Sequence, residues 1–167
     1  MTVRPWQADD YALLSGFESH LSAETVWRRF FTGGSALPAA YRRMLLRQQD
    51  PAAPPWLMQV TVADGHLVGW AECRGGPAHG YEVAVIVADP WQRNGIGTRL
   101  LRELLGRCAE AGIDEVRGYV LPGNPAMAGA VRHRSFTAAD GAHWTVSHRL
   151  ADGLREHVLH LAVSDHG

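Results

Sequence analysis

The stretch VADPWQRNGIGTRLLRELL, Val87 to Leu105, decides the reading of this chain. An apolar run ends at Asp89-Pro90, and a loop with Gln92, Gly95 and Gly97 follows. From about Thr98 to Glu110, Leu100, Leu101, Leu104, Leu105 and Cys108 recur at helical spacing, and Gly112 closes the helix. Such a loop can offer successive backbone N–H groups to an anion, and the helix start adds unpaired N–H groups and the positive end of its dipole. At Gly95 and Gly97 a side chain would block a phosphate, or the backbone needs φ > 0. A P-loop would need GxxxxGK[ST], and the chain contains no lysine. A dinucleotide fingerprint needs GxGxxG, and its third glycine is Leu100 here.

Outward from this segment the pattern separates into halves. Tyr81 to Ala88 (YEVAVIVA) is a near-continuous β-branched run, the signature of a central strand covered on both faces. Leu57 to Ala63 and Leu67 to Cys73 flank Asp64-Gly65, a two-residue hairpin signal. Before Trp56 the spacing is helical. A short strand at Thr2 to Trp6 leads to Asp9-Asp10 and the run Tyr11, Leu13, Leu14, Phe17, Leu21, which predicts a first helix. Ser22 and Thr25 open a second, with Trp27, Phe30 and Phe31, ending at Gly33-Gly34; Pro38 opens a third with Tyr41, Met44 and Leu45 on one face. Pro51 to Pro55 reads as a loop. After the long helix come a strand at Val116 to Leu121, a short helix at Pro125 to Arg134, and a hairpin from Phe136 to Leu150 turning near Asp140-Gly141. The tail from Leu154 to Val163 is expected to pair with the sheet, or with a second copy in a homodimer. The fold class is α+β (mixed α/β), a twisted mixed sheet with flanking helices. Residues 1–167 read as one domain.

Composition excludes several classes. An apolar fraction of 46% with 20% charged residues is that of a globular protein. No run approaches the ~18 apolar residues of a membrane helix, and acids stand where a secretory signal would be apolar, so a cytoplasmic location is expected. The net charge of −1, with arginines scattered among acids, argues against a nucleic-acid partner. Cys73 and Cys108 have no metal-ligand spacing, and the nine histidines form no ligand pattern, so no metal is expected.

The loop Gln92-Arg93-Asn94-Gly95-Ile96-Gly97 resembles the [QR]xxGx[GA] pyrophosphate loop of GNAT acetyltransferases. Leu121 to Met127, with Asn124, through Ser135-Phe136 is similar to the family's second cofactor-contacting region. Ser22-Ala-Glu24-Thr-Val-Trp27-Arg-Arg29-Phe30-Phe31 is similar to the S-x-E-S-x-Y-x-R-F-F stretch of bacterial protein-lysine acetyltransferases, and Tyr81-Glu82-Val-Ala-Val to their A-E-[VI]-A strand. The resemblance spans roughly residues 3 to 150. Two positions depart from it: Val131 stands where many members carry a tyrosine general acid, and Ser135 replaces the glycine of a closing Gly-Phe.

The resemblance implies an acetyl-CoA-dependent N-acetyltransferase acting on a primary amine, with a protein lysine ahead of a small molecule. Acetyl-CoA is then a co-substrate, held by Val85, Ile86 and Val87 along the strand, by Gln92 to Thr98 in the loop, and by Asn124. It also puts the catalytic glutamate at Glu82, whose isolation in an apolar strand leads one to expect burial and a raised pKa. Glu72 is the reserve base. A backbone N–H at Val85 or Ile86 could polarise the thioester carbonyl. No general acid stands out; Tyr119 and Tyr81 are candidates that read equally as core. Trp27, Phe30 and Phe31 either line the acceptor mouth or pack the second helix, and His79 and His133 read as surface residues. A non-catalytic acyl-CoA-binding sensor is the rival reading, and a nucleotide-dependent oxidoreductase a distant third. The acceptor's identity lies in variable regions that the motif does not reach.

Overall fold

The computed structural model describes residues 1–47, 56–120, 135–151 and 153–162. Thr2–Pro5 is β1, and a 3-10 turn at Ala8–Leu13 runs into α1, Leu14–Glu18. Helices α2 (Ala23–Phe30) and α3 (Ala39–Arg47) complete the N-terminal third. Strands β2 (Leu57–Ala63), β3 (His66–Gly76) and β4 (Gly80–Val87) follow, and α4 (Ile96–Glu110) crosses to β5 (Glu115–Val120). The series ends with β6 (Ser135–Thr137), β7 (His143–Ala151) and β8 (Leu154–Leu161).

These strands form one eight-stranded sheet in the order β1-β2-β3-β4-β5-β8-β7-β6. Asp64 (φ 50) and Gly65 (φ 76) make the predicted hairpin turn, whose left-handed pair matches the twist of β2 and β3. Gly69 lets β3 approach β4, because a Cβ there would sit 2.6 Å from the Ile86 carbonyl oxygen. Every neighbouring pair is antiparallel except β4 and β5, which are parallel and share a single registered pair, Glu82 with Arg117. Past that pair the two strands separate. The sheet opens there into a cleft.

Alternation along β4 divides the core into two layers. Val83 packs with α4 (Leu100, Leu104, Leu105, Cys108) and with Val116, Trp144 and Leu159. Ile86 points the other way, into Leu14, Phe17, Val26, Tyr41, Leu45 and Trp70. Each fully buried leucine contributes about 1.5–3 kcal/mol. The long apolar stripe of α4 is therefore what fastens the helix, and with it the glycine loop, to the sheet.

Three boundaries differ from expectation. The first helix is broken, because Asp10 is drawn inward: its carboxylate accepts from Gln7 N–H (2.8 Å) and pairs with both Arg4 nitrogens (2.6 and 2.7 Å), tightening the first turn to 3-10. Helix α2 stops at Phe30, short of the glycines, with Phe31 in the left-handed region (φ 56) donating its N–H to Trp27 O. Helix α4 starts at Ile96, two residues earlier than expected, because Gly95 takes φ 75 and serves as its N-cap. The tail pairs with the sheet as β8, inserted between β5 and β7, the first of the two alternatives. The expected loop at Pro51 to Pro55 and helix at Pro125 to Arg134 lie outside the described residues.

Candidate active site

The loop between β4 and α4 leads into a helix start that no side chain caps. Its N-cap is Gly95, and no acid occupies the first turn. Arg99 is the residue whose N–H returns to Gly95 O (3.0 Å), so the N–H groups of Ile96, Gly97 and Thr98 have no intrahelical acceptor. Gly97 faces β4: a Cβ there would lie 3.6 Å from Val85 Cγ1 and 3.7 Å from Val87 Cγ2, ordinary contact distances. These residues fit a pyrophosphate, which needs unpaired donors and no competing carboxylate.

Gln92 also braces the loop. Its side-chain amide nitrogen lies within donating distance of Val87 O (2.9 Å), Thr25 Oγ1 (3.0 Å) and Asp89 Oδ1 (3.2 Å). Asp89 in turn accepts from Thr25 Oγ1–H (2.6 Å) and Ser22 N–H (3.2 Å). The start of α2 is thereby latched to the glycine loop.

The cleft is lined on β4 by Glu82, Val85, Ile86 and Val87, and on the loop by Gln92, Arg93, Gly95, Ile96, Gly97 and Thr98. Asn94 is exposed and does not line it, and Asn124 lies outside the described residues. Arg29 reaches it from α2 and Phe31 from just past the end of that helix, and Gly118, Tyr119, His157 and Leu159 from β5 and β8. Trp27 and Phe31 are 48% and 40% exposed and meet edge to face, while Phe30 packs on Tyr41. So Phe31 belongs to the mouth, and Phe30 is packing.

Glu82 is exposed, and the burial expected for it is absent. The helical layer thins along β4: Ala88 and Ile86 are buried beneath it, Ala84 is half-buried, and Glu82 lies beyond its edge. Among the described residues no ion pair engages its carboxylate, which faces the cleft. Glu72 is the opposite case. It is fully buried, bonded to Arg29, and accepts from Tyr41 O–H (2.8 Å), which itself accepts from Trp70 Nε1–H (2.9 Å). Burial, then the charge of Glu72, holds the Tyr41 phenol well above its usual range. A carboxylate so occupied is a brace, not a base.

Across the gap, Tyr119 donates its O–H to buried Glu156 (3.0 Å), which also binds Arg149, so this candidate acid already has an acceptor. On the opposite face of the same strands, His157 lies 2.8 Å from His148, Nδ1 to Nδ1, with the rings edge to face. His157 is 5% exposed, and burial, then the neighbouring His148 and Arg155, lowers its pKa from 6.5 to about 4. Neither histidine was singled out from the sequence. Both are equally far from the Ala151–Leu154 pair that begins the last hairpin, so the register of β7 on β8 is what brings them together. Cys73 and Cys108 are buried free thiols; a hydrogen bond to Cys73, with burial, pushes the Cys108 thiol up, away from nucleophilic use. Among the described residues no three His, Cys, Asp or Glu side chains could hold a metal, and no helix is long and apolar enough to cross a membrane.

A parallel strand pair parts around a cleft, with an uncapped helix start on one wall, in a mixed α/β fold. The chain belongs to the acetyltransferase (GNAT) family, whose model matches residues 21–136. It is similar to the GNAT domain of PAT from S. lividans: 24% identity, 93% of this chain and 88% of that one covered, TM-score 0.72. YncA of Salmonella typhimurium, a putative acetyltransferase solved with acetyl-CoA, is 18% identical over 100% of this chain and 96% of its own, with TM-score 0.65. The phosphinothricin acetyltransferase of Sinorhizobium meliloti, in complex with acetyl-CoA, is 22% identical over 95% and 85%, with TM-score 0.61. No curated protein matches the sequence.

Proposed function

We propose that this chain transfers the acetyl group of acetyl-CoA to a primary amine, with a lysine on a protein surface favoured over a free small amine. The observation that carries this reading is one cleft holding both an uncapped helix start and a carboxylate, that of Glu82, without an ion-pair partner among the described residues. The donor supplies the reactive thioester. The N–H groups of Ile96, Gly97 and Thr98 hold its pyrophosphate, and the β4 backbone at Val85 to Val87 aligns its arm. Glu82 takes the proton that an ammonium must lose before its nitrogen can attack, directly or through one water. The similarity of Ser22 to Phe31 to protein-lysine acetyltransferases supports the protein acceptor. So does the exposed pair Trp27 and Phe31, which suits a mouth that docks a surface.

One observation favours the rival, a non-catalytic acyl-CoA sensor: Val131 stands where the family's tyrosine acid is expected. Glu82→Gln separates the two. It keeps shape and abolishes basicity, so CoA affinity should hold while turnover at neutral pH falls by roughly 10²–10⁴. Part of that loss should return near pH 9 to 10, where more of a lysine of pKa about 10.4 is already neutral. Thiol release on a panel of amines and proteins, beside calorimetry of CoA binding, measures both. Parallel loss of binding and turnover would mark Glu82 as structural, and a wild-type chain that binds CoA and turns over no acceptor would support the sensor.

A further inference from the structure

Acetyl transfer to an ammonium moves two protons. One leaves for solvent when the amine is made neutral, and Glu82 accounts for it. The other must leave the attacking nitrogen as the amide forms and must reach the departing thiolate, so the site needs a group that takes a proton and returns it. Val131 cannot do this, and the O–H of Tyr119 points to Glu156.

We infer that His157, backed by His148, is that carrier, resting on the acetyltransferase reading above. Three observations converge on it. His157 lines the cleft at the point where β4 leaves β5, in register with Gly118 of β5. Its Nδ1 is held at 2.8 Å from His148 Nδ1, so one of these nitrogens donates and the other accepts. Among the described residues nothing hydrogen-bonds to Nε2, which leaves that nitrogen for the cleft. His148 is exposed, so the pair runs from the cleft to the surface.

The cycle closes in protons. With the Nδ1–H tautomer on His157, its Nε2 takes the proton of the attacking nitrogen while its Nδ1–H passes to His148 Nδ1. His148 becomes an imidazolium, and His157 is left neutral with its proton on Nε2. When the carbon–sulfur bond breaks, Nε2–H goes to the thiolate sulfur, and His148 returns its Nδ1 proton to His157. Both rings end as they began. The low pKa of His157 agrees with this, since the inner ring is never the one that carries charge. The ionisable groups that act on it are His148 on β7 and Arg155 on β8, while Arg149, Glu156, Arg117, Tyr119 and Glu82 take the opposite face of the sheet.

The test has two arms on the full-length protein. In the first, long-range proton–nitrogen spectra of the histidine rings of the ligand-free protein at pH 7 should show His157 as the Nδ1–H tautomer. His148→Gln should remove that preference. An Nε2–H tautomer indifferent to residue 148 overturns the relay. In the second, His157→Ala should lower turnover on one amine acceptor at least about 10²-fold with CoA affinity, by calorimetry, within about twofold, and added imidazole should restore part of it. His148→Gln should lose less, about tenfold, and lose its plateau at a different pH from wild type. Wild-type turnover and an unchanged pH profile in His157→Ala overturn the inference alone, as does a loss in Tyr119→Phe that exceeds it. A wild-type protein that binds CoA and acetylates no acceptor overturns the acetyltransferase reading, and the shuttle with it.

Discussion

Arg29→Met should be among the more destabilising single changes available in this protein. Arg29 and Glu72 retain only 10% and 1% side-chain exposure, and their ion pair joins α2 to β3. Removing the guanidinium leaves Glu72, among the described residues, with one neutral donor, Tyr41, and a 3.7 Å approach from Arg74. Stripping one partner from a buried pair costs about 3–5 kcal/mol, because the other charge stays behind uncompensated. At roughly 2–4 °C per kcal/mol for a chain of this size, Tm should drop by about 6–20 °C. Adding Glu72→Gln removes the stranded charge and keeps an acceptor for Tyr41, so the double variant should melt higher than Arg29→Met. Thermal unfolding of the three variants at pH 7 reads all of this. A shift under about 2 °C for Arg29→Met, or a double variant no better than the single, would refute the reasoning. Glu72→Gln alone should keep turnover within about threefold; a fall of order 10²–10⁴ would restore Glu72 as the base.

Two further outcomes follow from the cleft and its lining. Gly97→Val should leave Tm within a few degrees, since a Cβ there meets Val85 and Val87 at ordinary contact distances, and should abolish CoA binding in calorimetry; unchanged affinity would reduce the loop to a turn. Stability should also carry the mark of His157. Its pKa is lowered to about 4 in the fold against 6.5 ordinarily, so between those values the unfolded chain binds a proton that the native one does not. That contribution is whole above about pH 6.5 and is lost as pH falls through 4. The Tm difference between wild type and His157→Gln should change in that sense across the window, and a difference independent of pH would contradict it.

The glycine loop and its helix were legible because local chemistry dictates them: Gly95 takes a conformation closed to most residues, and five apolar positions on α4 fall on one face. Asp64-Gly65 was legible for the same reason. The exposure of Glu82 was not, since alternation along β4 tells which face a residue takes but not how far the covering helices reach. Glu72 was ambiguous because a lone acid in an apolar strand reads as base or brace, and its partner Arg29 lies 43 residues away. The histidine pair needed a register. With the partner of the last strand left open between sheet and second copy, residues 148 and 157 could not be brought together.

The Asp89 latch has a consequence for assembly. It ties residues 64 and 67 positions apart in the chain, against a two-residue turn for the β2–β3 hairpin. Closing so long a loop costs more entropy than closing a hairpin, and that loss precedes any gain from the contact. The corner where α2 meets the glycine loop is thus a product of long-range folding. A nascent or truncated chain that stops short of Asp89 can form α2 and the hairpin, yet it has nothing that holds Thr25 against the loop, and so carries one wall of the cleft without the other.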